Sequence, residues 1–312
     1  MPDGSALPND GRGAVVTVGT FDGVHLGHRS VLQEIARRAR RAGRRSLLVT
    51  FDPHPLEVVN PPAAPSLLTP GEERNEYLAQ CEVDVVVLMT FTRELSQCPP
   101  EAFVRLLYDR YHMRELVIGH DHGFGRGRAG DVGLLQRLGK QMGFGVDVVD
   151  EVYIDGRPVS STLVRRAVAG GDLETAARQL GRPYALTAPV MRGATRGRDL
   201  GYRTLNLALP DRRKLLPPDG VYAVVVEWSD GRAGGMMHQG ARPTFGDPTR
   251  SIEAHVFDVD VRLYGERVKV SWIARLRDVN HFPSASALKR QLDKDFDAAR
   301  AALTRWGLPT SH

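Results

Sequence analysis

Ala14-Val15-Val16-Thr17-Val18-Gly19-Thr20-Phe21-Asp22-Gly23-Val24-His25-Leu26-Gly27-His28 runs from a β-branched strand pattern through a glycine turn into a helix. The helix must begin near His25, because Leu32, Ile35, Ala36 and Ala39 already fall at helical spacing. The free amides of its first turn then face the strand end and form an anion site. His25 and His28 are three residues apart, so both imidazoles lie on one side of that turn. Gly27 between them lets a phosphate or a base approach the backbone. Two histidines at a phosphate can donate hydrogen bonds to charge that builds up during transfer. Either one alone would read as a satisfied polar residue or a helix cap; the pair after a strand and a glycine turn favours phosphate.

The same alternation continues outward. Ala14 to Thr20, Ser46 to Phe51, Val83 to Met89, Glu115 to Ile118 and Val146 to Val149 read as buried strands. Helical patterns lie between them. Thr69-Pro70-Gly71-Glu72 has the form of a capping box opening a helix towards Gln80, and Glu101 to Tyr111 and Asp131 to Met142 are further helices. Such repetition predicts a parallel sheet with helices on both faces and ligands beyond the carboxyl ends of the strands. After Gly181-Arg182-Pro183 the pattern changes. Tyr184 to Met191, Val221 to Trp228, Ser251 to Asp258 and Arg267 to Ala274 are strand-like and separated by glycine and proline turns. From Ser284, with Leu288, Leu292, Phe296 and Ala299, an amphipathic helix follows. This predicts a small antiparallel barrel with a C-terminal helix. The expected domains are residues 12–183 and 184–306.

Length and composition agree with two domains. The chain has 312 residues, above the roughly 250–300 at which one core usually divides, and 42% of them are hydrophobic, which excludes global disorder. No apolar run approaches the roughly 18 residues of a membrane helix, and residues 1–10 lack a signal pattern, so the expected location is the cytoplasm, with no membrane partner. Cys81 and Cys98 are too few for a disulfide framework or a zinc site. Arginine and lysine exceed aspartate and glutamate by only five. The dense run Arg37 to Arg45 lies opposite an apolar helix face and lacks interleaved aromatics, so it predicts a solvated face rather than a nucleic-acid site.

Three more segments join the first. Thr50-Phe51-Asp52-Pro53-His54-Pro55 follows the second strand, Gly119-His120-Asp121-His122-Gly123-Phe124-Gly125 follows the fourth, and Ser160-Ser161-Thr162-Leu163-Val164-Arg165 precedes a helix. All would sit at one sheet edge. With the His25-x-Gly-His28 turn, they resemble the FAD synthetase domain of bacterial bifunctional riboflavin kinase/FAD synthetases, a Rossmann-like α/β nucleotidyltransferase. The resemblance implies that His25 and His28 hold ATP phosphates and stabilise the transition state. Gly19, Phe21 and Gly27 would line the phosphate site, while Ser161, Thr162 and Arg165 grip the phosphates that leave as pyrophosphate. Asp121 and Phe124 would help seat the flavin. His54 either touches the flavin phosphate or is a turn residue. The family usually shows phenylalanine and arginine where this chain has His122 and Gly123.

In the second half, Arg192-Gly193-Ala194-Thr195-Arg196-Gly197-Arg198 is a glycine-punctuated basic loop, of a kind that can cradle a phosphate. Tyr202-Arg203-Thr204-Leu205-Asn206, Pro217 to Ala223, Gly240 to Phe245, Ser251-Ile252-Glu253-Ala254-His255 and Leu263-Tyr264-Gly265 follow in order. Together they resemble the riboflavin kinase domain of the same family. The resemblance implies phosphate binding by Gly193, Gly197 and Arg198, Mg2+ held by Thr204 and Asn206, and Glu253 as the catalytic base. Arg203 and Leu205 replace the proline and alanine usual beside them. The implied function is ATP-dependent phosphorylation of riboflavin to FMN, then adenylylation of FMN to FAD, with riboflavin, FMN and ATP as the small-molecule partners. Alternatives are an FAD synthetase whose barrel binds flavin without phosphorylating it, a flavin or nucleotide sensor, and an RNA-binding protein.

Overall fold

The computed structural model describes residues 6–8, 10–119, 132–192, 204–242, 247–259 and 263–307. Within these, the β-branched runs of the first half become β1 (Ala14–Val18), β2 (Arg45–Asp52), β3 (Val85–Thr90), β4 (Met113–Gly119) and β5 (Gly145–Val149). All pair in parallel, in the order β3-β2-β1-β4-β5. The order reverses between β1 and β4, so the crevice beyond their carboxyl ends is the place for a ligand.

Side-chain alternation builds a core on each face. Ala14, Val16 and Val18 of β1 pack with Phe103, Val104 and Leu107 of α5 (Pro100–Tyr111) and with Leu135 of α6 (Val132–Met142). Val15 instead meets Leu32 and Ile35 of α1 (Leu26–Ala42) and Tyr77 and Leu78 of α3 (Glu72–Ala79). Cys98 and Cys81 are free thiols packed against these two cores. Helix α1 stops at Gly43, whose left-handed φ of 63° lets its N–H reach the carbonyls of Ala39 and Arg40. The remaining helices of this half, α2 (Pro55–Val59) and α4 (Arg93–Ser96), are short.

Most of the basic run from Arg37 to Arg45 is ion-paired. Arg37 and Arg38 meet Glu34 at 2.6 Å each, and Arg38 also reaches Glu115 at 2.5 Å and Asp147. Arg40 pairs with Glu82, and Arg45 with Asp10. The Arg37 hydrogen bond, reinforced by Arg38, holds the Glu34 carboxyl down at about 2.

A hairpin of β6 (Tyr153–Ile154) and β7 (Arg157–Pro158) leads to α7 (Ser161–Ala169) and α8 (Leu173–Leu180). The chain divides into two compact units, Met1–Ser161 and Thr162–His312. In the second, β8 (Ala185–Met191), β9 (Leu205–Leu207), β10 (Gly220–Trp228), β11 (Gly231–Arg242), β12 (Asp247–Val256) and β13 (Arg267–Arg277) close into an antiparallel barrel ordered β10-β11-β12-β9-β8-β13. The C-terminal helix α9 (Ala285–Arg305) lays Ala299, Ala302 and Leu303 on Ala223, Val225, Met236 and Phe257. Each large side chain so buried contributes about 1.5–3 kcal/mol. Among the described residues, no helix is long and apolar enough to cross a membrane.

One local expectation fails. Thr69 does not cap α3: the N-cap is Gly71, with no side-chain cap bond. The Thr69 hydroxyl is engaged elsewhere, accepting from the Gly23 N–H at 2.8 Å.

Candidate active sites

His25 is the N-cap of α1, and its Nδ1 accepts from the His28 N–H at 3.2 Å. An accepting Nδ1 carries no proton, so the neutral ring is protonated at Nε2. The two imidazoles stack with centroids 3.6 Å apart, and Phe21 lies 4.6 Å from His28. A Cβ on Gly27 would stand 3.2 Å from the His25 ring, so only glycine leaves this stack undisturbed. Gly19 and Gly27 thus flank a turn that follows the carboxyl end of β1 and holds the buried His25.

Three other segments meet this turn. Ser161, at the start of α7, donates its hydroxyl to the Asp22 carbonyl at 2.9 Å. Arg74 of α3, buried, donates to the carbonyls of Thr20 at 3.2 Å and Phe51 at 2.9 Å, tying the ends of β1 and β2 together. The Asp22 carboxylate accepts from the backbone of Leu68 and Thr69. Sequence reasoning missed Asp22 and Arg74. Asp22 stood inside the quoted turn, a detectable signal; Arg74 carried none.

His54 caps α2: its Nδ1 accepts from Leu56 N–H at 3.2 Å, and Glu57 accepts from His54 N–H at 3.1 Å. Gly119 ends β4, while Asp121 and Phe124 lie outside the described residues. Thr162 is exposed and Arg165 half-buried in the first turns of α7.

On the barrel, Glu253 of β12 lies opposite Asn206 of β9 on one side and His238 of β11 on the other. Directly opposed residues share a face, so the three form a row across the wall. Ser251 donates to Glu253 Oε1 at 2.9 Å and Thr204 to Oε2 at 3.3 Å. Both carboxylate oxygens are therefore oriented, and the Thr204 oxygen and the Asn206 amide stand beside them as hard oxygen donors. Gly193, Gly197, Arg198 and Arg203 lie outside the described residues. Among the described residues, no three His, Cys, Asp or Glu side chains gather as a metal cluster.

The FAD synthetase family profile matches residues 7–163, and the riboflavin kinase profile matches residues 180–303. The chain belongs to the bifunctional riboflavin kinase/FMN adenylyltransferase family. It is 39% identical over 293 residues to the member from Pseudomonas fluorescens, covering 93% of each chain. It is 36% identical over 290 residues to the Escherichia coli K12 member, covering 92% of each. A solved structure described as a macrolide-efflux protein from Streptococcus pneumoniae superposes with a TM-score of 0.85 at 28% identity, over 96% of this chain and 98% of that one. That description concerns the pneumococcal protein; what the two chains share is the two-part fold of this family.

Proposed function

We propose that this chain makes FAD from riboflavin in two ATP-dependent steps, with residues 12–183 as the synthetase domain and 184–306 as the kinase domain. In the first step a ribityl hydroxyl of riboflavin attacks the γ-phosphorus of ATP. Glu253 takes the hydroxyl proton, the new O–P bond forms FMN, and ADP leaves. Its two oriented oxygens support this role, since a base fixed before reaction is already placed at the proton it removes. Thr204 donates its proton to Glu253 and so turns lone pairs outward. With Asn206 it offers hard donors that fit Mg2+, which would supply positive charge to the ATP phosphates. Gly193, Gly197 and Arg198 are assigned to phosphate binding on the resemblance alone.

In the second step an FMN phosphate oxygen attacks the α-phosphorus of a further ATP, and pyrophosphate leaves. No proton need move. The observation that carries this reading is the capped His25–His28 stack: with Nδ1 of His25 accepting from the helix, the ring proton sits on Nε2, the nitrogen assigned to donate to the phosphates. His28 donates beside it. Gly19, Phe21 and Gly27 shape the phosphate pocket, and Thr162 and Arg165 are assigned to the departing pyrophosphate. The Ser161 hydroxyl, which donates to Asp22, must turn if it is to join them. Asp121 and Phe124 are assigned to the flavin. His54, whose Nδ1 caps a helix, is assigned to the flavin phosphate on the resemblance alone.

We assign the enzyme to the cytoplasm, without nucleic-acid or membrane partners; the ion pairs of Arg37, Arg38, Arg40 and Arg45 support reading that basic face as solvated rather than as a nucleic-acid site. The oriented Glu253 favours an active kinase over a silent barrel. A His28→Ala variant tests the division of labour: FAD formation should fall and FMN formation persist. Unchanged adenylylation would overturn the role given to His28.

A further inference from the structure

We propose that Asp22 is a positioning residue of adenylyl transfer, locking the His25–His28 turn to the Leu68–Thr69 backbone; the inference rests on the synthetase reading above. Asp22 is only 2% exposed. Its Oδ2 accepts from Leu68 N–H at 3.0 Å and its Oδ1 from Thr69 N–H at 2.9 Å. A buried carboxylate is tolerated only where such donors replace water. Thr69 returns the link, its hydroxyl accepting from Gly23 N–H at 2.8 Å, and the Asp22 carbonyl accepts from Ser161 at 2.9 Å. The aspartate is thus held from both sides by two segments distant in sequence.

The turn needs such a lock. Phe21 and Val24 adopt left-handed φ values of 50° and 39°, a region that side chains, β-branched ones above all, disfavour. Such conformations persist only where the surroundings over-determine them, and they gather at functional sites. Both flank Asp22 within two residues, and Phe21 touches the ring of His28. Release of the carboxylate lets the turn relax and carries Phe21, and with it the histidine stack, away from the reacting phosphate. Transfer chemistry is sensitive to displacements of an ångström, so the loss should fall on kcat.

Asp22→Asn is the direct test, because it keeps size but turns one acceptor into an NH2 group facing a backbone N–H. Measured on the full chain, kcat for FAD formation from FMN and ATP should drop about tenfold or more, since misplacement by about 1 Å can cost 10²-fold. KM for ATP should stay within about threefold, because the phosphate ligands themselves are kept. FMN formation from riboflavin reports that the barrel is folded. If Asp22→Asn leaves the first unit unfolded, Thr69→Val serves instead: it removes only the hydroxyl that Gly23 N–H uses. Thr69→Val should lower kcat, and Thr69→Ser should restore it. A wild-type kcat in soluble, folded Asp22→Asn or Thr69→Val would overturn the proposal, as would a loss confined to KM. If His28→Ala were also fully active in this assay, the synthetase reading itself would fall rather than the role of Asp22.

Discussion

His25 accepts the backbone N–H of His28 through Nδ1 at 3.2 Å while its ring stacks on that of His28 at 3.6 Å. One side chain therefore closes the helix and builds the stack, and its second nitrogen is the one assigned to the phosphates. The two duties can be separated by substitution. His25→Ala should lose both, costing about 1 kcal/mol of stability, the usual worth of an N-cap, together with FAD synthesis. His25→Asn keeps a capping oxygen, so urea unfolding should stay near wild type while FAD formation falls about 10²-fold, the scale for one lost transition-state donor.

Glu253 answers to its two hydroxyl donors, Ser251 and Thr204. Glu253→Gln removes the proton acceptor with little change in shape. FMN formation should fall by about 10²–10⁴-fold, the range of general-base catalysis, with FAD formation from supplied FMN unaffected. Separate assays started from riboflavin and from FMN distinguish the two.

Acid should weaken the first unit through Glu34. Its carboxyl is held at about 2, below its ordinary 4.5, by Arg37 and then Arg38. A depressed carboxylate contributes stability that is present above the ordinary value and lost as pH falls through the folded one. The stability difference between wild type and Glu34→Gln should therefore be full above about pH 5 and shrink towards zero near pH 2. Urea midpoints measured across that range check it; a difference that grows on acidification would contradict the assignment.

Leu303 is fully buried where α9 meets the barrel. Leu303→Ala should cost about 2–5 kcal/mol. The kinase should lose activity on mild warming before FAD formation from FMN does, a contrast that thermal inactivation of each activity would reveal.

How far the sequence was readable depended on which side chain carried the signal. The five parallel strands were legible because buried strands in such sheets are continuous β-branched runs. The His25–His28 turn was legible because a helix had to start there. Strand β11 was not: Gly231, Gly234, Gly235 and Gly240 dilute its pattern. The structure gives a reason at Gly235, where a Cβ would stand 2.5 Å from the His255 carbonyl of the neighbouring strand. Helix α2 was hidden by prolines on both sides of His54, which suggest a bare turn. At Thr69 the local capping rule lost to tertiary structure, because Gly23 claims the hydroxyl that would have closed α3. Arg74 was invisible for the same reason: what makes it matter is the pair of distant carbonyls it joins.

The central claim is that one chain carries both activities, and one incubation tests it. The purified protein is given riboflavin, ATP and Mg2+, and the flavins are separated by chromatography over time. FMN should appear first and FAD follow at its expense, with ADP and pyrophosphate as co-products, and chelation of the metal should stop both. Riboflavin left unchanged, with FMN likewise unchanged when supplied directly, would contradict the account.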